Sequence, residues 1–316
     1  MAKQGAYSAN PPKYVWLNGE LVPWQDATVP VASMGASGSL AVFEGIKAYA
    51  RPDRENAYVI SMKPHLRRLY DSMKIVRMAP AIPQAEYEEA IVQLMRANDL
   101  REDTYVRPVA YYDGVDTPSF RETIGSPPDL LISTRPFRSH LLTRKAKSAA
   151  VSSWTRISDN SVPPRVKCMS NYQNNRLAAI EAAVDGYDDA IMLDDRGKVT
   201  EAPGACFFMV RNGIVATAPL TGGILESVTR DVVIQLCREV LGLTVAEREI
   251  DRTELYVSEE AFLCGTGEEI TAVTSVDRLP LGDGQPGPIF RALEELYHNL
   301  VRGIDERYPE LRTVIY

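Results

Sequence analysis

Apolar residues recur along the chain with two different periods. In HLRRLYDSMKIV, Leu66, Leu69 and Met73 lie three or four positions apart, which predicts an amphipathic helix. YEEAIVQLMRAND and SVTRDVVIQLCREVLG show the same spacing, and the second run ends at Gly242, a residue suited to a helix stop. The short runs YVRPVAYY, DLLISTRP and AAVSSW are instead typical of β-strands.

Two more helices are predicted in the second half of the chain. One begins at about Asn171 and ends at Gly186, and its apolar stripe is expected to contain Leu177, Ile180 and Val184. The other begins at Ile289. We expect these apolar stripes to pack against the sheets.

Turn residues indicate antiparallel hairpins. Asn18-Gly19 separates two apolar runs in YVWLNGELVPW and favours a type I′ turn, and Asn212-Gly213 has the same character. Strand-rich and helix-rich stretches alternate without an internal repeat, which predicts an α+β or mixed α/β fold. At 316 residues the chain is long enough for two domains. The charged, aperiodic segment 136–147 is the predicted interdomain loop, between domains at 1–135 and 148–316.

Composition excludes several classes of function. The net charge of -7 comes from both signs interspersed along the chain, without the basic stripe that nucleic acids require. Four dispersed cysteines and three histidines argue against a metal site or disulfide framework. The chain shows no signal-peptide pattern and no long apolar run, so we expect a cytoplasmic protein that makes no membrane contact.

A lysine and an anion-binding turn are the main candidates for chemistry. Lys167 follows Val166 and lies close to Arg165, and apolar surroundings near another cation favour a nucleophilic amine, although most lysines are simply solvated. In TGGILESVTRD, Ser227 and Thr229 open a helix where backbone N–H groups attract phosphate, and an ordinary N-cap explains the same residues. The scarcity of histidine argues against a histidine-based hydrolase.

Two charged residues and a second glycine turn have open interpretations. Glu201 in KVTEAPG is a surface carboxylate or a functional acid, and Arg107 in TYVRP is a strand-edge charge or an anion clamp. The tract CGTGEE follows an apolar strand and is another candidate anion-binding turn.

Taken in order, several motifs resemble the branched-chain aminotransferases, which are fold-type-IV pyridoxal-phosphate enzymes. The similarity extends over nearly the whole chain and is carried by YVWLNGELVPW, AVFEGIKAY, HLRRLYDS, YVRP, VSSW, KCMSNYQNN, DDAIMLDDRGKVTEAPG, ILESVTRD and CGTGEEITAV. This resemblance implies a small α/β domain followed by a larger, β-barrel-like cofactor-binding domain with helices.

The resemblance also implies how pyridoxal 5′-phosphate is held. Lys167 would bond covalently to the cofactor and move the catalytic proton, Glu201 would face the pyridine nitrogen, and Tyr172 would reach the ring oxygen. Leu225 would pack against the ring. The phosphate would be bound by Arg68, Val228, Thr229 and Thr266. No metal is implied.

For the substrate, the resemblance implies a pocket that takes both an aliphatic and an acidic side chain. Its lining would include Phe43, Gly45, Tyr105, Phe137, Thr266 and Gly267. Arg107 would receive the side-chain carboxylate of glutamate. The implied activity transfers the amino group of L-leucine, L-isoleucine or L-valine to 2-oxoglutarate in a pyridoxal/pyridoxamine phosphate ping-pong cycle. A homodimer is also implied, with higher homo-oligomers left open.

Departures from the family pattern fall mostly around the substrate. Gly38 replaces a common tyrosine, and His140 lies in the loop PFRSH, which replaces a loop with tryptophan and tyrosine. Cys206 replaces an asparagine, and Glu226 brings a carboxylate close to the expected phosphate site. An (R)-amine or D-amino-acid transaminase therefore stays an alternative, as do an aminodeoxychorismate lyase and a non-catalytic anion-binding module.

Overall fold

The computed structural model describes residues 11–33, 40–112, 121 and 123–316, which form two compact units. The first comprises Met1–Ser139, Val166–Ser170 and Val301–Tyr316, and the second comprises His140–Arg165 and Asn171–Leu300. The chain leaves the first unit within the predicted loop at 136–147. Two segments of the predicted second domain, 148–316, nevertheless belong to the first unit. Val166–Ser170 is hydrogen-bonded to Phe43, and Val301–Tyr316 contains a strand that pairs with the first sheet.

Within its described residues, the first unit contains an eight-stranded sheet and two α-helices. The helices are α1 (Met62–Ile75) and α2 (Gln84–Ala97). The strands are β1 (Tyr14–Leu17), β2 (Glu20–Pro23), β3 (Ala41–Phe43), β4 (Ile46–Ala50), β5 (Ala57–Ile60), β6 (Thr104–Tyr111), β7 (Asp129–Pro136) and the C-terminal strand β17 (Arg312–Val314). Their order in the sheet is β17-β5-β4-β6-β7-β1-β2, with β3 paired to β6.

Both predicted helices of the first unit bury the apolar stripe that the sequence indicates. Leu66 and Leu69 of α1 and Ile91 and Leu94 of α2 have no exposed surface. They belong to one core with the inward residues of the sheet. The hairpin β1–β2 turns at Asn18 and Gly19, whose φ angles of 48° and 101° confirm the predicted positive-φ turn.

The second unit contains a nine-stranded sheet and four α-helices. Its helices are α3 (Tyr172–Val184), α4 (Val228–Gln235), α5 (Arg252–Leu255) and α6 (Pro288–Val301). Its strands are β8 (Ala146–Val151), β9 (Asp189–Ile191), β10 (Glu201–Ala202), β11 (Ala205–Arg211), β12 (Ile214–Thr217), β13 (Val245–Glu247), β14 (Glu260–Gly265), β15 (Glu269–Val276) and β16 (Leu279–Pro280). Their order in the sheet is β13-β12-β11-β14-β15-β8-β9, with β10 paired to β11 and β16 paired to β15.

The two units confirm the predicted mixed α/β class. The pair β11–β14 is antiparallel, whereas β8 runs parallel to β15 and to β9. Helix α4 continues as a π-helical turn over Leu236–Val240 and stops before Gly242, whose φ is 66°. Among the described residues, no helix combines the length and the apolar character needed to cross a membrane.

The predicted buried stripe of α3 is wrong. Ile180 and Val184 are 46% and 80% exposed, whereas Ala178 and Ala182 are buried against Ala190 and Met192. The helix lies close to β9, where small side chains allow a near approach and larger ones face outward. Side-chain size rather than hydrophobicity therefore decides which face of α3 is buried.

We predict opposite responses to substitution at two neighbouring positions of α3. Ala178→Leu should destabilise the protein by about 1–3 kcal/mol because it overpacks a closed contact, whereas Ile180→Ala should change stability by less than about 0.5 kcal/mol. Urea unfolding followed by circular dichroism measures both effects. A larger loss for Ile180→Ala than for Ala178→Leu would contradict the packing described for α3.

Candidate active site

The segment that carries Lys167 is fixed to the first unit through its backbone. The N–H group of Phe43 donates to the carbonyl oxygen of Lys167 at 3.0 Å, and the N–H group of Lys167 donates to Oγ of Ser72 at 3.2 Å. Val42 and Cys168 form an isolated antiparallel bridge beside these bonds. The backbone of Lys167 is therefore held between β3 and α1 although it lies about 125 residues later than β3 in the chain.

Phe43 connects the lysine amine to an arginine. Nζ of Lys167 lies 4.9 Å from the centroid of the Phe43 ring, and the guanidinium carbon of Arg107 lies 5.0 Å from the same centroid. Both cations are thus within cation–π distance of one aromatic ring. The structure brings together three of the residues that the sequence predicts for the site.

Gly45, Tyr105 and Phe137 form a second predicted group in the same unit. A Cβ atom at Gly45 would lie 1.9 Å from the hydroxyl oxygen of Tyr105, so only glycine leaves room for this tyrosine. The rings of Tyr105 and Phe137 meet edge to face with centroids 5.7 Å apart. Tyr105 is therefore held between a glycine and an aromatic ring.

Arg68 is held in place by a buried carboxylate. Nε and Nη2 of Arg68 donate to the two carboxylate oxygens of Glu44 at 2.7 and 2.8 Å. Nδ1 of His65 lies 2.8 Å from Glu44 Oε2, and His65 and Arg68 share one face of α1. Glu44 has no exposed surface. This two-point contact fixes the plane of the guanidinium.

Charge within this cluster is balanced. Burial alone would raise the pKa of Glu44, but the ion pair and hydrogen bonds with Arg68, aided by His65, hold it well below its ordinary value. Burial lowers the pKa of His65, and its contact with Glu44 opposes that shift. The positive charge of Arg68 compensates the buried carboxylate of Glu44.

In the second unit, Glu201 occupies a similarly protected position. Its side chain is 6% exposed, and Oε1 lies 2.7 Å from Nη2 of Arg156. Arg156 also donates to Asn175, which in turn donates to the carbonyl oxygen of Pro203. The N–H group of Leu225 donates to Oε2 of Glu201 at 3.2 Å. Glu201 is therefore a buried acid held in one orientation by its partners, not a surface carboxylate.

The start of α4 combines an N-cap with two buried residues. Oγ of Ser227 accepts a hydrogen bond from the N–H group of Arg230, as expected for an N-cap. Val228 and Thr229 are 8% and 5% exposed. The carboxylate of Glu226 pairs with Arg165 at 2.6 Å, so the guanidinium of Arg165 compensates the negative charge that Glu226 brings close to the start of α4.

Other predicted positions of the second unit lie at element ends. Tyr172 opens α3, and Thr266 and Gly267 follow β14 directly, with Thr266 half-buried and Gly267 exposed. His140 binds Glu269 through its backbone N–H group, and its ring reaches Thr271 at 3.0 Å. Cys206 is buried beside the carbonyl oxygen of Leu225. Gly38 lies outside the described residues.

Glu44, His65, Arg156 and Asn175 take part in these clusters although the sequence did not single them out. His65 precedes Arg68 by three positions on an amphipathic helix, a spacing that could have indicated a shared face. Glu44 lies between two predicted pocket residues. Arg156 and Asn175 carry no local signal, since their partners are distant in sequence.

Each unit contains groups of the kinds that bind pyridoxal phosphate. In the first unit an amine lies against an aromatic ring. In the second unit a buried carboxylate is fixed by an arginine, and backbone N–H groups open a helix beside a buried threonine. Nε of Arg156 is buried and has no acceptor within the described ranges, which leaves a polar donor for a ligand. No group of three or more potential metal ligands occurs among those residues.

Comparison with known proteins gives the family. Residues 41–276 match the model of amino-transferase class IV. A probable branched-chain-amino-acid aminotransferase from Aquifex aeolicus is 37% identical over 304 residues, covering 96% of this chain and 97% of the relative. The chain belongs to the class IV aminotransferases. It is therefore a pyridoxal-phosphate-dependent enzyme, as the motifs predicted.

Solved structures of this family agree in fold. The branched-chain amino acid aminotransferase of Thermobaculum terrenum in its PLP form has a TM-score of 0.92 and 44% identity, covering 96% of this chain and 99% of that one. The T.th. branched-chain amino acid aminotransferase in complex with N-(5′-phosphopyridoxyl)-L-glutamate has a TM-score of 0.89 and 31% identity, with 96% and 99% covered. The predicted fold type IV and the resemblance to branched-chain aminotransferases are confirmed.

We predict that the buried cluster around Glu44 stabilises the enzyme. Glu44→Gln should lower the free energy of unfolding at pH 7 by about 3–5 kcal/mol, because Arg68 would lose its counter-charge. Because the pKa of Glu44 is depressed in the folded state, this stabilisation is fully present above the unfolded-state pKa of about 4.3. It is lost progressively as the pH falls from there towards the folded-state pKa, so the difference between the two proteins should shrink in acid.

The matched control is Glu89→Gln, which makes the same change at an exposed position of α2. Urea unfolding at pH 7 and below pH 4 compares the three proteins. Equal effects of the two substitutions at pH 7 would show that Glu44 has no special role.

Proposed function

We propose that the enzyme transfers the amino group of L-leucine, L-isoleucine or L-valine to 2-oxoglutarate in two half-reactions. The names of the relatives support the branched-chain donor, and the phosphopyridoxyl-glutamate complex of the T.th. enzyme supports an acidic partner. When bound, pyridoxal phosphate supplies the electron sink for the reacting Cα carbon and carries the amino group between donor and acceptor.

The observation that carries this proposal is the contact of Phe43 with both Lys167 and Arg107. A single pocket has to accept an aliphatic side chain in one half-reaction and a carboxylate in the other. The Phe43 ring offers an apolar surface next to the reacting amine, and Arg107 offers a cation at the edge of that surface. Both requirements are met on one side of β3 and β6.

Lys167 is the proposed catalytic residue. Its amine would hold the cofactor and, once the substrate amine has displaced it, would take the proton from Cα and deliver it to the C4′ carbon of the cofactor. The two backbone hydrogen bonds at Lys167 keep the root of this side chain in place, so only its flexible part moves. Tyr172, at the start of α3, is the proposed partner of the cofactor's ring oxygen.

Glu201 has the proposed task of keeping the pyridine nitrogen protonated. Arg156 and the N–H group of Leu225 hold its carboxylate in one orientation, and burial excludes the water that would weaken its charge. The side chain of Leu225 is the proposed apolar contact of the ring. Arg156 supplies the positive charge that compensates this carboxylate in its buried position.

The phosphate is assigned to four hydrogen-bonding residues that the family resemblance singles out. Arg68 supplies a guanidinium whose plane is set by Glu44, while Val228 and Thr229 supply the helix start. Thr266 is the fourth of these phosphate-binding residues.

The substrate α-carboxylate is assigned to Tyr105, Thr266 and Gly267. Gly45 and Phe137 complete the proposed lining of the substrate pocket. A homodimer in the cytoplasm remains part of the proposal.

We expect L-leucine and L-glutamate to convert the absorbance band of the lysine-bound cofactor in the purified holoenzyme, with D-alanine and (R)-1-phenylethylamine inactive. The reaction with both L-amino acids is expected because an apolar ring, which suits the leucine side chain, and a cation, which suits the glutamate side chain, both lie near the reacting amine. Conversion confined to the D- or (R)-amines would move the enzyme to the alternative transaminases. Lys167→Ala should lack the band altogether, and a normal band in that variant would remove Lys167 from its role.

Substitution of Arg68 tests the phosphate assignment. Arg68→Gln should weaken the binding of pyridoxal phosphate to the apoenzyme by about 10- to 100-fold, because charge-assisted hydrogen bonds are lost. The affinity for pyridoxal, which has no phosphate, should stay unchanged. Arg67→Gln is the control, since Arg67 is the exposed neighbour on the same helix. Equal losses for both ligands would show that Arg68 does not bind the phosphate.

A further inference from the structure

One face of the first sheet carries cations and aromatic rings instead of an apolar core. Lys47, Tyr105 and Arg135 are directly paired across β4, β6 and β7, so their side chains lie on the same side of the sheet. Arg107 and Phe137 lie two positions from members of this row and share its face. The opposite face packs residues such as Ile46 and Val106 into the core with α1 and α2.

Arg135 is held on this face by two rings. Its guanidinium carbon lies 4.7 Å from the ring centroid of Tyr105 and 4.5 Å from that of Phe137. Lys47, which is 2% exposed, places its Nζ atom 4.6 Å from the Phe137 centroid. Such contacts orient a cation, but they do not neutralise its charge.

No carboxylate compensates the two arginines within the part of the chain that the structure describes. Neither the guanidinium of Arg107 nor that of Arg135 forms an ion pair or hydrogen bond there. Two acids of this unit already pair with other arginines: the buried Glu44 binds Arg68, and the half-buried Asp103 binds Arg302. Two half-buried cations therefore face the same side without an anion between them.

The separation of the two arginines suits a shared anion. Arg107 is paired with Ser133, so Arg135 is its diagonal neighbour, a relation with a Cα separation of about 7–8 Å. Both side chains are long enough to reach one carboxylate, which can accept about four hydrogen bonds. Arg107 and the Lys167 amine both lie within 5.0 Å of the centroid of the Phe43 ring, so a carboxylate bound by Arg107 is close enough to belong to the reacting substrate.

We propose that Arg135 is a specificity-determining residue that, together with Arg107, binds the second carboxylate of a dicarboxylic amino or oxo acid. The inference rests on the proposed function and deepens it. A dicarboxylate neutralises the repulsion between the two arginines, whereas an aliphatic substrate leaves it in place. Arg135 therefore shifts the preference of the shared pocket towards the acidic partner of the reaction.

Arg135→Leu tests this proposal because it removes the charge and keeps apolar contact with both rings. Single-turnover conversion of the cofactor band is measured as a function of L-glutamate and of L-leucine concentration. The glutamate-to-leucine ratio of the second-order rate constants should fall by about 10- to 100-fold, the loss expected for charged hydrogen bonds. Arg135→Lys should restore part of that ratio.

Arg138→Leu is the matched control, because it removes the same charge from an exposed position three residues later. Its ratio should stay at the wild-type value. Equilibrium binding of glutarate and of 4-methylpentanoate gives a second measurement without chemistry, and Arg135→Leu should weaken only the former. An unchanged ratio, or equal losses for both substrates, would overturn the role of Arg135.

The outcomes for wild type separate this inference from the proposed function. Reaction with glutamate but not with leucine would refute the branched-chain donor, and the glutamate rate of Arg135→Leu against Arg138→Leu would then decide the role of Arg135. Reaction with leucine but not with glutamate would overturn the dicarboxylate site and leave the donor assignment standing.

Discussion

The return of Val166–Ser170 to the first unit is the constraint on which the site depends. The bond from Phe43 to the carbonyl oxygen of Lys167 and the bond from Lys167 to Ser72 join a late segment of the chain to β3 and α1. Phe43 is thereby placed against the Lys167 amine, and its neighbour Glu44 is placed against Arg68. The last residue of β3 and the residue that follows it thus contact two different charged side chains.

Charge compensation differs sharply between parts of the molecule. The buried acids Glu44 and Glu201 are each paired with an arginine of their own unit, and this pairing offsets the cost of removing a carboxylate from water. Arg107 and Arg135 instead rest on aromatic rings. Paired groups can remain fixed when no ligand is bound, whereas cations on rings keep their charge available for an anion.

The sequence predicted those features that depend on local order. The stripe with Leu66 and Leu69 and the Asn18-Gly19 turn follow from periodicity and backbone sterics, and both are present. The stripe of α3 was mispredicted because the approach of β9 selects Ala178 over Ile180, and that selection depends on tertiary packing. From its neighbours alone, Lys167 could not be distinguished from a solvated lysine. Its family resemblance supplied that role.

The residues that sequence analysis missed are those that hold other residues in place. Glu44 and Arg156 act on side chains far from them in the chain, and periodicity records no such pairing. Three departures from the family pattern have local partners here: Glu226 pairs with Arg165, His140 contacts Glu269, and Cys206 is buried beside Leu225. Each of these partners directly contacts the side chain that departs from the family pattern. Arg135 has no charged partner among the described residues, so its charge is available to an anion that binds on the same face of the sheet.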